Sequence, residues 1–74
     1  MDEYQLLVRL DATQGFNNIS DVLDIVNEMA GSGISAIAES APGSPLEGAH
    51  VYYIKVRADQ IEKAANLLRE ILSR

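Results

Sequence analysis

Few side chains in this 74-residue chain could perform catalysis. The single histidine, His50, stands at the start of a strand-like run, and no serine or carboxylate pattern beside it indicates an acid–base or nucleophilic site. The chain contains no cysteine, which excludes disulfides, thiolate metal ligands and a cysteine nucleophile. We therefore expect His50 to be a solvated residue at a strand end, and the protein not to be an enzyme.

Two further patterns could bind an ion or a phosphate. Asp21, Asp24 and Glu28 recur at helical spacing, but hard-metal sites usually take their ligands from a tight loop. Residues 41–48 (Ala-Pro-Gly-Ser-Pro-Leu-Glu-Gly) lack the Gly-Lys-Ser/Thr ending and the following helix of a P-loop. The first pattern predicts a solvated helix face and the second a connecting loop, so no metal or cofactor is expected.

Composition indicates one small soluble domain spanning residues 1–74. Hydrophobic residues make up 47% of the chain, which is enough for one compact core. The net charge of −5 disfavours nucleic-acid and anionic-membrane partners. No apolar run approaches the roughly 20 residues of a membrane span, and the first residues do not resemble a signal peptide. We expect a cytoplasmic protein.

The hydrophobic pattern predicts three strands and two helices. Strands are expected at residues 4–10, 34–39 and 51–57, and helices at 19–30 and 60–72. Asn18 is the expected N-cap of the first helix, and Asp59 with Glu62 predicts a capping box for the second. Residues 40–48 are expected to form a loop. The first helix is predicted to bury a stripe made of Ile19, Val22, Leu23, Val26, Met29 and Ala30.

The element order β-α-β-β-α predicts an α+β two-layer sandwich. Both helices are best buried on one side of one sheet, and right-handed crossovers then give the sheet order 1-3-2. This is a ferredoxin-like layout lacking its final strand, which would lie beside strand one. Strand one is therefore expected to be an exposed edge that invites a partner.

The face of the sheet away from the helices is the strongest candidate for function. Strict alternation turns Leu6, Val8 and Leu10 toward the helices, together with Tyr52, Ile54 and Val56. The opposite face then carries a charge-rimmed apolar cluster, a candidate interface comprising Leu7, Arg9, Ile37, Val51, Tyr53 and Lys55. Three interpretations stay open: ordinary exposed apolar residues, a protein-partner surface, and an RNA-stacking platform built on Tyr53.

Residues 25–37 (Ile-Val-Asn-Glu-Met-Ala-Gly-Ser-Gly-Ile-Ser-Ala-Ile) form an apolar helix followed by a Gly-Ile strand opening. This stretch resembles the first helix and second strand of ACT-type regulatory domains. The resemblance implies a dimeric module that senses a small ligand or amino acid. It would place ligand positions at Gly15, Phe16, Asn17 and Ile34.

Taken together, these patterns favour a non-enzymatic protein-interaction or oligomerisation module that acts through the open sheet face and the edge strand. The expected partner is another protein or a second copy in a homodimer. An ACT-like small-molecule-binding domain is the alternative.

Overall fold

The computed structural model describes residues 3–16, 18–42 and 50–74. In chain order the elements are strand β1 (Tyr4–Asp11), helix α1 (Ile19–Gly31), strands β2 (Ala36–Pro42) and β3 (His50–Arg57), and helix α2 (Ile61–Leu72). The three strands form one antiparallel sheet in the order β1-β3-β2. The predicted α+β class, element order and strand order are confirmed. Within the described residues, no helix has the length and apolar character needed to cross a membrane.

Helix α1 begins and ends with the expected chemistry. The Asn18 side chain accepts hydrogen bonds from the backbone N–H groups of Ser20 and Asp21 at 3.0 and 3.3 Å, which confirms the predicted N-cap. Gly33 follows the helix with φ at +80°, a conformation that favours glycine. Its N–H donates to the Ala30 carbonyl at 3.1 Å. The chain can thus turn from the helix into β2 within a few residues.

Helix α2 does not use the predicted capping box. A 3-10 turn, Ala58–Gln60, precedes it, and no side chain caps its first turn. Asp59 pairs with Arg57 at 2.8 Å instead. Gln60 bonds the chain before β2: its Nε2 donates to the Gly33 carbonyl and its Oε1 accepts from the Ser35 N–H, both at 2.9 Å. Gln60 therefore joins the start of α2 to the segment between α1 and β2.

The core lies between one face of the sheet and both helices. Helix α1 packs over β2 and β3, whereas α2 packs over β1 and β3. The buried apolar cluster comprises Leu10, Val22, Ile25, Met29, Ile34, Tyr52, Ile54, Val56, Ala64 and Leu68. The predicted stripe of α1 is wrong in part. Ile25 is buried, whereas Ile19 and Leu23 remain exposed, because the helix is rotated toward Ile25 and away from its Ile19 flank.

A β-bulge changes the phase of β1. Leu6 lies opposite Lys55, but Val8 lies opposite Ile54, so Leu7 is an extra residue in the ladder. Leu7 and Val8 both pack against the core, and Leu6 is turned away from it. The strict alternation predicted for this strand is therefore wrong on the N-terminal side of the bulge. A one-residue shift in a strand exchanges the faces of every side chain before it.

Strand β2 is displaced from its predicted position. It starts at Ala36 rather than at residue 34, and it continues through Ser40 and Ala41 to Pro42. These last three residues were expected to begin a loop. They pair with Tyr52, Val51 and His50 of the well-formed β3, so pairing with β3 outweighs the low strand propensity of alanine and proline. The remainder of the predicted loop, residues 43–49, lies outside the described residues.

Candidate interaction surface

The face of the sheet opposite the helices, here called the open face, is built in rows across the three strands. One row holds Leu6, Lys55 and Ile37, and the next holds Arg9, Tyr53 and Glu39. Leu6 is 54% exposed and Ile37 is 42% exposed. At one end of the face, the Tyr4 hydroxyl reaches across the sheet and hydrogen-bonds Ser35 Oγ. The open face thus exposes apolar side chains from both outer strands, with Lys55 between them and Tyr53 in the next row.

A shallow depression of about 340 Å³ lies on this face. Its lining combines aliphatic, aromatic and charged groups, contributed by Leu6, Glu39, Ser40, Ala41, Tyr53 and Lys55. The bulge in β1 places the Leu6 side chain on the open face, where it forms part of the lining of this depression.

The basic groups of the open face are neutralised locally. Lys55 Nζ lies 2.7 Å from Glu39 Oε1, and Arg9 Nη1 lies 2.7 Å from Asp11 Oδ2. Arg57, as noted, pairs with Asp59. These ion pairs are solvent-exposed, so each adds little to stability. Their main consequence is that the face presents little net charge around its apolar side chains.

Four of the six residues in the predicted interface meet on the open face: Arg9, Ile37, Tyr53 and Lys55. Leu7 does not, because the bulge directs it to the core. Val51 lies in the central strand between Asp11 and Ala41 and is buried, so it offers no exposed contact area. Sequence reasoning missed Leu6, and the pattern of β1 contains no signal for the bulge.

The two edges of the sheet differ. The edge formed by β1 is interrupted by the bulge at Leu7, a device that discourages strand pairing. At its end, the Asp11 N–H donates to Gln14 Oε1 at 2.9 Å, and the Asp11 carbonyl accepts from the Phe16 N–H at 3.1 Å. The outward backbone groups of Asp11 are therefore already bonded within the chain. The predicted edge exists, but its geometry does not suit a partner strand.

The edge formed by β2 is regular along its whole length. Its seven residues pair with β3 without a register shift. The Arg57 N–H donates to the Ser35 carbonyl at 3.2 Å. Because backbone direction alternates along a strand, the odd-numbered residues of β2 that follow Ser35 direct their N–H and C=O groups toward β3. The corresponding groups of Ala36, Ala38 and Ser40 face outward. Pro42 ends this series, because proline has no N–H.

Two of the positions implied by the ACT-type resemblance, Phe16 and Ile34, belong to the core. Ile34 is buried at 2% exposure, and Phe16 packs against the same core. Gly15 has φ at +91° and directs the chain through the turn after β1. Asn17 lies outside the described residues. The N–H groups of Phe16 and Ile34 are both hydrogen-bonded within the chain, to the Asp11 and Met29 carbonyls.

Several carboxylates of the described residues take part in ion pairs or turns. Glu28 Oε1 lies 2.5 Å from Arg74 Nη1, which joins α1 to the end of α2. In residues 3–16, 18–42 and 50–74, no three metal-ligating side chains lie close enough together to hold an ion. Asp21, Asp24 and Glu28 accordingly form no such group.

Hydrogen bonds lower the pKa of the Asp11 carboxyl group. The Thr13 hydroxyl, the Arg9 guanidinium and the Thr13 N–H all bond its carboxylate. The Thr13 hydroxyl contributes most to lowering the pKa of Asp11 below its ordinary value of 3.8, and partial burial opposes it. The ionised side chain thereby organises the turn that closes the β1 edge.

Comparisons of the chain with protein-family models, with curated proteins and with solved structures found no significant match.

Proposed function

We propose that this chain is a non-enzymatic oligomerisation or protein-interaction module that acts through its sheet. The observation that supports this most is the pair of exposed apolar side chains, Leu6 and Ile37, which lie on either side of Lys55 in the row next to Tyr53, on the face without helices. Contiguous apolar surface bordered by charges is characteristic of interaction sites. The neutralised cations of this face favour a protein surface over a phosphate-rich partner.

The sheet also offers backbone groups for association. An edge strand can bind another strand through main-chain hydrogen bonds, with side-chain contacts adding specificity. The regular β2 edge fits this role better than the bulged β1 edge on which the sequence-based hypothesis relied. We further propose that the three strands and two helices correspond to a ferredoxin-like arrangement, supported by the order β1-β3-β2 with both helices on one face.

The small-molecule alternative is an ACT-like regulatory domain. It is supported by the helix-to-strand pattern around Gly33 and Ile34, where positive φ at Gly33 leads into the buried Ile34. In that case a ligand would bind near the Gly15 turn rather than on the open face.

The two proposals are separated by measuring self-association and ligand binding on the same sample. Sedimentation velocity is recorded from about 10 µM to about 1 mM, alongside thermal-shift measurements with the twenty amino acids. Concentration-dependent dimerisation without a ligand-specific shift supports the interaction module. A monomer at every concentration contradicts the oligomerisation proposal, and a specific amino-acid shift supports the alternative.

A further inference from the structure

Resting on the proposed function, we infer that the partner is a second copy of this chain, bound through antiparallel pairing of the two β2 edges. The pairing would extend the sheet from three strands to six. It would also bring the two α1 helices side by side on the same face.

The first argument is the direction of the backbone groups. The groups of Ala36, Ala38 and Ser40 face outward, as established by the bond between Arg57 and Ser35. A two-fold axis through Ala38 pairs Ala38 with its own copy and Ala36 with Ser40 of the partner subunit. All three outward-facing residues then form bonded pairs.

The second argument concerns the two ends of this register, where the strand pairing stops without the loss of a hydrogen bond. The next pair would join Ile34 to Pro42. The Ile34 N–H already donates to the Met29 carbonyl at 2.9 Å, and proline has no N–H to donate. Moving the axis to Glu39 would bring proline into the bonded pairs and set two glutamates directly opposite each other, which is unfavourable.

The third argument comes from the helix layer. Glu28 contacts Arg74 at the end of α2, so this flank of α1 faces α2. The opposite flank, about half a turn away, carries Ile19 at 41% exposure and Leu23 at 43% exposure. Because α1 lies over β2 and α2 lies over β1, this apolar flank borders the β2 edge.

Spacing and charge suit a second copy. Strands pair about 4.8 Å apart, and each α1 lies over β2 and β3, roughly half a strand spacing behind the β2 edge. The two α1 helices would therefore be roughly 10 Å apart, an ordinary helix-packing distance. Each copy has a net charge of −5, so a self-interface must exclude unpaired acids. Asp21 and Glu28 lie on the far flank of α1, and Glu39 is neutralised by Lys55 at 2.7 Å.

The available area sets the strength of this contact. Seven strand residues span about 23 Å, and a helix layer on a sheet layer is roughly 15–20 Å deep, giving about 400 Å² per copy. The total of about 800 Å² is below the range of about 1,200–2,000 Å² for stable interfaces. Interfaces of this size are typical of weak, transient contacts, so we expect a weak dimer that dissociates on dilution.

Two substitutions test the interface, one in each layer. Ser40→Pro removes an outward N–H from an exposed edge residue, which a folded edge strand tolerates. Leu23→Glu places a charge on the exposed apolar flank. The matched control for Leu23→Glu is Leu72→Glu, at an exposed leucine of α2.

Sedimentation measures the dimer Kd of each variant, and circular dichroism verifies that it is folded. We expect Ser40→Pro and Leu23→Glu each to raise the Kd at least tenfold, while the Leu72→Glu control stays within about twofold of wild type. If Ser40→Pro fails to fold, Leu23→Glu decides alone. A wild-type dimer that both variants preserve would overturn this interface but leave the proposed function standing. A wild-type monomer at all concentrations would overturn both.

Discussion

Leu6 lies directly opposite Lys55 in the sheet, on the face away from the core. Simple alternation would bury Leu6 and expose Leu7, but the bulge between Leu6 and Val8 reverses the two. As a result the open face gains a leucine beside Tyr53, and the β1 edge becomes irregular. A single extra residue thus changes both the open face and the β1 edge.

The bulge predicts unequal costs for two adjacent alanine substitutions. Leu7→Ala should lower the free energy of unfolding by about 1–2 kcal/mol, because a side chain packed against the core is lost. Leu6→Ala should lower it by less than about 0.5 kcal/mol, because Leu6 is mostly exposed. Urea denaturation of both variants measures the difference. The reverse ranking would mean that β1 alternates without a bulge.

Sequence patterns anticipated the architecture well, for identifiable physical reasons. Burial selects apolar residues at regular spacing. This spacing is visible in the sequence as the β-branched and aromatic run of β3 and as the apolar periods of both helices. Asn18 was predicted as an N-cap because its short polar side chain suits that position.

Details that depend on partners in space were not predictable from the pattern. The bulge in β1 arises from pairing with β3, and the extension of β2 to Pro42 depends on the same strand. Gln60 forms hydrogen bonds with Gly33 and Ser35, which are distant in the sequence, so no local motif predicts this contact. The rotation of α1 that buries Ile25 is likewise set by packing against the sheet.

Substitution of the two adjacent tyrosines of β3, Tyr52 and Tyr53, tests which face of the sheet each side chain occupies. Tyr52 is buried in the core, whereas Tyr53 is partly exposed on the open face. We expect Tyr52→Ala to cost about 3–4 kcal/mol of unfolding free energy and Tyr53→Ala to cost clearly less. Denaturant unfolding of the two variants under identical conditions measures both values. Equal costs would contradict the assignment of the two faces.

Gln60 should be a stabilising link despite its modest exposure. Gln60→Ala removes the hydrogen bonds to Gly33 and Ser35 and should cost about 1–2 kcal/mol of unfolding free energy. Gln60→Glu is the matched control, because it keeps an acceptor for the Ser35 N–H but no donor for the Gly33 carbonyl. Hydrogen exchange at the Ser35 amide should accelerate in Gln60→Ala more than in Gln60→Glu. Unchanged exchange in both variants would exclude this link.

The turn after β1 should make a measurable, pH-dependent contribution to the stability of the fold. Because the pKa of Asp11 is lowered on folding, its ionised form contributes stability above the unfolded-state pKa, and this contribution disappears as the pH falls through the folded-state pKa. The carboxyl titration followed by NMR should give a value below 3.8, and Thr13→Val should raise it. A wild-type value at or above 3.8 would contradict the hydrogen-bonded turn.

Pairing of two β2 edges is tested most directly by intermolecular contacts between copies of the chain. A mixture of isotope-labelled and unlabelled protein at about 1 mM is examined by isotope-filtered NOE spectroscopy. With the two-fold axis at Ala38, Ile37 lies opposite Glu39 of the partner subunit in a non-hydrogen-bonded pair, with Cα atoms about 4.5 Å apart. The account predicts a strong intermolecular NOE between the Hα protons of Ile37 and Glu39. Intermolecular NOEs confined to Leu6 and Tyr53, or no intermolecular NOE at all, would contradict it.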